Sequence, residues 1–234
     1  MKKIAIMQPY FFPYIGYFQL INSVDEFIVY DNIEFTKKGW INRNRILVNG
    51  VDCYISLPLK KDSDYLFVKE RFLADTWHID RKKIINRIAE SYRKAPFYKE
   101  TYDILERCIM FEERNLFNFI FHSLQQLLNH LQIDTKITIS STIPINDELK
   151  SEEKVIAICN QQRAEVYINP IGGVVLYNKD RFVSQKIELK FQKSNYITYK
   201  QYDNQFVPWL SIIDVMMFNS KDEITFFLND YTIF

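Results

Sequence analysis

Lys3-Ile4-Ala5-Ile6-Met7-Gln8-Pro9, and further on Phe27-Ile28-Val29-Tyr30-Asp31-Asn32, decide how this chain folds. Each is a short, β-branched, apolar run without polar alternation, the pattern of a strand buried on both faces; the first stops at Gln8-Pro9 and the second at Asp31-Asn32. The stretch from Tyr14 through Ile21 between them reads as a short helix. Strand, helix and a second, parallel strand are therefore expected at the start of the chain.

Working outward, Ile46-Leu47-Val48 and Val51 to Leu57 flank Asn49-Gly50, a pair suited to a type I′ hairpin because both central positions need positive φ. Tyr65 to Phe72 reads as strand. Three helical stripes follow: Ile84, Ile85, Ile88 and Tyr92; Ile104, Leu105 and Cys108; and Leu116, Ile120, Leu124, Leu127, Leu128 and Leu131. Alternation then resumes with Lys136 to Ile139 as strand and Ser151 as the cap of a helix with Glu152 and Glu153 in its first turn. Glu165 to Ile168 and Ile187 to Phe191 read as strands around Gly172-Gly173 and a short helix, and Leu210 to Phe218 as a further helix. No internal repeat or low-complexity linker interrupts the order. It predicts an α/β fold: a mostly parallel, Rossmann-like sheet with a β-hairpin and a helical insertion. One compact domain is expected, with an N-terminal α/β half at 1–80, the helical insertion at 81–133 and a C-terminal α/β half at 134–234.

The composition excludes several classes. The 234 residues carry 30 Lys+Arg against 29 Asp+Glu, a formal net charge of +1, and are 47% hydrophobic. That is too apolar for disorder, and it lacks the basic footprint that duplex nucleic acid selects. RNA binding by Tyr and Arg stacking suits the 15 Tyr and 19 Phe but not the neutral balance. Lys2-Lys3 and the apolar residues after them imitate a signal peptide, but Gln8-Pro9 ends the run too early for a signal or a membrane span. Cys53, Cys108 and Cys159 are isolated and odd in number, as expected of reduced core residues in a cytoplasmic protein. His78, His122 and His130 are scattered, so no metal site is expected, and no residue pattern names a cofactor.

Four polar stretches are candidates for chemistry. Gln8 to Tyr17 follows the first strand, where ligands of open α/β sheets bind; there Gln8 and Tyr10 are placed to hold a polar ligand and Gly16 to permit close approach. Asp31 to Arg45 follows the second strand, with Lys37, Trp40, Asn42, Arg43 and Arg45. The two arginines alternate, so in an extended chain both point the same way as a fork for phosphate or carboxylate. Gly172-Gly173, between strand and helix, suits an anion-binding concavity. Tyr199 to Asp214 contains Gln201 and a helix start at Ser211, for which a structural role is the stronger reading.

Together these stretches resemble the WbqC-like family of bacterial proteins. The likeness runs through Gln8-Pro9-x-x-x-Pro13-x-x-Gly16-Tyr17-Phe18, Asp31 with Phe35-x-x-x-x-Trp40-x-Asn42-Arg43, and Tyr92 to Pro96. It continues in Asn169-Pro170-x-Gly172-Gly173 with Tyr177, and in Gln201 with Phe206-x-Pro208-x-Leu210-Ser211-x-x-Asp214. Members often lie in loci for O-antigens and other surface polysaccharides containing amino sugars. The resemblance implies a transferase that moves a glycyl or other acyl group to the amine of a nucleotide-linked amino sugar. In that role Asp31 is the expected base, Gln8 and Asn42 orient substrate or hold the oxyanion, and Arg43, Arg45 and Lys37 meet phosphate. Tyr10, Gly16, Tyr17, Trp40, Gly172, Gly173 and Gln201 complete the expected binding site. Met7 stands where family members often carry a histidine before the Gln-Pro pair, so a catalytic role proposed for that histidine is not carried over to this chain. Tyr14-Ile15-Gly16-Tyr17 also stands where nucleotidylyl transferases carry His-x-Gly-His, a likeness of scaffold without the reacting histidines. The alternative is a noncatalytic nucleotide- or sugar-binding module in the same pathway. Either reading expects Gln8 and Asp31 to face one cleft at the carboxyl edge of the sheet, lined by Gly172-Gly173, with the loop from Lys37 to Arg45 folded over it.

Overall fold

A computed structural model describes residues 1–203 and 205–234. The two deciding runs form β1 (Lys3–Met7) and β2 (Glu26–Val29), paired in parallel from Ile4 opposite Glu26 to Met7 opposite Val29. Helix α1 (Ile15–Asn22) connects them. β5 (Lys136–Ile139) lies outside β2, while β6 (Val166–Pro170), β7 (Glu188–Ser194) and β8 (Tyr231–Ile233) continue on the other side of β1. The sheet order is β5-β2-β1-β6-β7-β8, and within this sheet only the β7–β8 pair is antiparallel among the described residues. Counted within the sheet alone this is 3-2-1-4-5-6, the doubly wound dinucleotide-binding order, whose direction reverses between β1 and β6.

Both faces are covered, which explains the unbroken apolar runs. Ala5, Phe27, Val29, Val166 and Ile168 pack in one cluster with α1 and the helical block, whereas Ile4, Ile6, Ile28, Tyr167 and Phe191 pack in a second with α5 (Ser151–Gln161) and α6 (Lys179–Ser184). The period of two along each strand thus sorts side chains between two layers. The helical block comprises α2 (Trp77–Tyr92), α3 (Tyr98–Ile109) and α4 (Leu116–His130), whose buried residues are the three apolar stripes. β3 (Arg43–Val48) and β4 (Val51–Ser56) form a separate two-stranded hairpin, with Asn49 and Gly50 at φ 50° and 82° as a type I′ turn requires. α7 (Ile212–Phe218) and α8 (Lys221–Leu228) precede β8.

Three local expectations are corrected. Tyr65 to Phe72 is not a strand: it makes isolated bridges, Glu34 with Phe67 and Phe72 with Asn115, around a 3-10 turn at Val68–Glu70. Ser151 does not cap α5, since it stands inside the helix after Lys150 and no side-chain cap is formed. Cys108 and Cys159 are buried as core thiols, but Cys53 on β4 is partly exposed. Among the described residues, no helix is long and apolar enough to cross a membrane.

Candidate functional site

Because all parallel strands end on one edge, that edge gathers the residues after Met7, Val29, Ile139, Pro170 and Ser194. A cleft of about 540 Å³ opens there beside the β1/β6 reversal. Tyr10 and Tyr14 come from the segment after β1, Ile171 from the end of β6, and Lys193 to Tyr196 from the end of β7. Trp40, Asn44 and Arg45 enter from the hairpin side and Trp209 from the segment before α7.

The floor is knitted from three segments distant in sequence. Asn44 Nδ2 donates to the carbonyls of Phe11 (3.1 Å) and Phe12 (2.8 Å), and Ser211 Oγ donates to Phe12 O at 2.7 Å. These bonds hold Phe12 at φ 42°, a left-handed conformation rare for an aromatic residue. Trp209 is also left-handed, at φ 59°, and its carbonyl accepts from Arg45 Nη2 at 3.3 Å. Backbone strain of this kind persists only where surroundings impose it, and here it presents the indole to the cleft. The rings of Tyr14 and Tyr196 meet Trp209 edge-on at 6.2 and 5.9 Å.

Two cations serve this cleft. Arg45 Nη1 pairs with Asp52 at 3.0 Å and its guanidinium lies 5.6 Å from the Trp40 ring centre, but its buried Nε has no partner among the described residues. Lys193 is exposed on the rim. No Asp, Glu, His or Cys lines the cleft among the described residues. Burial, with Tyr14 as a lesser cause, pushes the Tyr10 hydroxyl up to about 12, and burial raises Tyr14 as well, so near neutral pH both remain hydrogen-bond donors.

Of the expected site residues, the structure brings Tyr10, Trp40 and Arg45 into this cleft. Gln8 follows β1 with its carbonyl accepting from Tyr17 Oη at 2.9 Å, and no hydrogen bond of its side chain is found among the described residues. Tyr17 itself is buried in the core, edge-on to Phe27. Gly16 makes room for protein and not for ligand, because a Cβ there would sit 2.4 Å from the Tyr14 ring. Gly173 likewise accommodates Asn169, whose Oδ1 would lie 2.0 Å from a Cβ, while Gly172 faces open space. Neither glycine lines the cleft; their neighbour Ile171 does.

Asp31 lies elsewhere on the edge. Its carboxylate accepts from Ser140 Oγ (2.7 Å), Ser141 N (2.9 Å) and Ser141 Oγ (2.6 Å), and it is 2% exposed. Those bonds tie the end of β2 to the end of β5, and a general base needs an accessible lone pair, so the expected catalytic role does not suit this geometry. Arg43 turns back on its own loop, donating to Gly39 O at 3.1 Å and Lys38 O at 2.6 Å. Lys37 pairs with Asp64 at 2.7 Å, and Asn42 donates to Leu57 O at 2.9 Å; both line a different pocket. The loop from Lys37 to Arg45 is therefore shared between two pockets.

Gln201 is buried in a structural network. Asp214, with no exposed surface, accepts from Tyr92 Oη (2.8 Å), Tyr199 Oη (2.6 Å) and Gln201 Nε2 (2.6 Å), while Tyr92 Oη accepts from Leu47 N at 2.7 Å. This joins α2, β3, α7 and the segment before α7. Burial raises the Asp214 carboxyl to about 6 against the opposing pull of its three donors.

Sequence reasoning missed Lys193 to Tyr196, and it treated Trp209 as part of a helix entry. The available signal was a tryptophan immediately after Pro208, but the edge-on packing of Tyr196 against Trp209 is what brings the two stretches together. Among the described residues no group of three His, Cys, Asp or Glu side chains is placed to hold a metal ion.

Comparison with known proteins agrees with the likeness read from the motifs. A family model described as the WbqC-like protein family matches residues 8–226. The chain is 31% identical over 222 residues to Rv1507c, an uncharacterized protein of Mycobacterium tuberculosis, covering 92% of this chain and 93% of that one. No solved structure gives a significant match.

Proposed function

The chain belongs to the WbqC-like protein family, and from that footing we propose that its cleft binds a nucleotide-linked amino sugar during surface-polysaccharide synthesis. The observation that carries this reading is an acid-free cleft that combines Arg45 and Lys193 with the rings of Tyr10, Tyr14, Trp40, Tyr196 and Trp209. Aromatic faces suit a base or a sugar ring, and a planar guanidinium with a nearby ammonium suits a pyrophosphate. The position at the strand-order reversal suits a nucleotide for the reason that governs doubly wound sheets.

Acyl or aminoacyl transfer to the sugar amine is the reaction that the family likeness suggests. Such a step requires a base to deprotonate the sugar ammonium so that the free amine attacks the acyl carbon, and donors for the tetrahedral oxyanion that collapses with loss of the donor's leaving group. Tyr10 and Tyr14 are suited to donate. No carboxylate or imidazole lines the cleft among the described residues, which favours the second reading, recognition without turnover.

Calorimetric titration with a panel of nucleotide-linked amino sugars tests the binding. Saturable binding that weakens at least tenfold in Arg45→Met and Trp209→Ala is expected, and absence of binding for every nucleotide sugar sinks the proposal. Mass spectrometry of the same mixtures with activated acyl donors separates the two readings: an acylated sugar supports transfer, and binding without product supports recognition.

A further inference from the structure

The second pocket contains a cation that the cleft does not use. Arg71 follows the 3-10 turn at Val68–Glu70, whose backbone is anchored beside β2 by Lys69 N to Asp31 O (3.1 Å) and Val68 N to Ile33 O (2.9 Å). The side chain is 5% exposed, and its guanidinium lies 4.8 Å from the centre of the Phe35 ring. Nε and Nη2 have no hydrogen-bond partner among the described residues. Both are shielded from bulk water, so hydration does not compensate them. Asp64 feels the charge of Arg71, but its carboxylate is engaged by Lys37 at 2.7 Å.

A guanidinium cannot shed its proton to escape burial, and a buried charge without acceptors is costly. Arg71 lines a pocket of about 520 Å³, within the size range of small-molecule sites. Its lining brings Lys37, Lys60, Lys61 and Arg71 together against Asp62 and Asp64, with Asn42 as a further donor. The segment from Trp40 to Arg45 separates this pocket from the cleft, since Trp40, Asn44 and Arg45 line one and Asn42 the other.

We propose that this pocket is a second binding site, for a small molecule bearing a phosphate or carboxylate group, with Arg71 as the buried charge in its wall and Lys60 and Lys61 as rim cations. The proposal stands on this pocket alone and does not require the cleft to bind a nucleotide sugar.

The test follows the Nε–H resonance of Arg71 by nitrogen–proton NMR, identified by its loss in Arg71→Lys, while sodium phosphate, pyrophosphate, citrate or chloride is titrated. A saturable downfield shift with an oxyanion and none with chloride is expected. Response to the phosphates alone identifies a phosphoryl ligand, and response to citrate alone identifies a carboxylate ligand. Lys60→Gln/Lys61→Gln changes only exposed side chains and keeps the fold; it should weaken the response at least tenfold. Arg45→Met/Lys193→Met should leave it unchanged. No saturable shift with any oxyanion, an undiminished response in the Lys60/Lys61 variant, or its loss in the Arg45/Lys193 variant would each overturn the proposal.

Discussion

The two ends of the sheet's carboxyl edge are built from similar polar residues and use them differently. Beside β2 and β5, the carboxylate of Asp31 is enclosed by Ser140 and Ser141 and nearly removed from solvent. Beside β1, β6 and β7, Arg45 retains an unpartnered nitrogen and Lys193 stands on the rim of an open cleft. A polar side chain at a strand end is thus available to a ligand only when the fold has left its hydrogen-bonding capacity unused. The Asp214 network is the extreme case of the closed type, with Tyr92, Tyr199 and Gln201 all donating inward.

The largest effect expected from this contrast is on stability. Asp214→Ala leaves three buried donors without an acceptor and should destabilise the protein by about 3–5 kcal/mol in denaturant unfolding, the range for breaking a buried charged partnership. A loss under about 1 kcal/mol would break the distinction between closed and open groups.

Next comes a pH effect with a definite sign. Folding raises the Asp214 carboxyl from 3.8 to about 6, so between those values the native state holds a proton that the unfolded chain has released. The contribution is fully present below about pH 4, declines as pH rises, and is lost above about 6; roughly two pKa units correspond to about 3 kcal/mol. Subtracting the unfolding profile of Asp214→Asn from that of the parent protein should isolate this decline. A flat difference between pH 4 and 6 would contradict the buried carboxyl.

Smaller again is Asp31→Asn, which gives up charge-assisted bonds to two serines and should cost about 1–3 kcal/mol. Affinity for any cleft ligand should not change. If ligand binding collapses while stability holds, Asp31 belongs with the open groups and the comparison fails at its centre.

The smallest stability change belongs to the cleft itself. Arg45→Met removes a partly exposed ion pair worth about 0–1 kcal/mol, so melting should shift little while ligand affinity falls at least tenfold. Equal loss of both would mark Arg45 as structural.

Where local pattern and tertiary role coincide, the sequence is legible. The runs at β1 and β2 are apolar because both faces of the sheet are covered, and Asn49-Gly50 carries its turn geometry in its own φ preferences. β8 has three residues and belongs to the sheet only through β7, so no local period announces it. Tyr65 to Phe72 has strand-like composition but finds no continuous partner. At the site, Tyr10, Trp40 and Arg45 are readable because they follow the first strands, as ligand-facing loops do. Asp31, Tyr17 and Gln201 carry equally reactive groups, and only packing shows that these are spent on the fold. Arg71 is the converse case, since nothing in its neighbours in sequence signals an unpartnered buried charge.

The pairing of β1 with β6 also sets a timetable. Ile4 lies opposite Tyr167, so during synthesis one side of β1 has no native neighbour until most of the chain has left the ribosome. At about 5–20 residues per second that interval is roughly 8–30 s. Through it an apolar strand keeps an open row of backbone donors and acceptors, the feature that invites pairing with other chains. β1, in the middle of the finished sheet, is therefore the strand that waits longest for its second neighbour, and substitutions there weigh on yield during expression as well as on the stability of the folded protein.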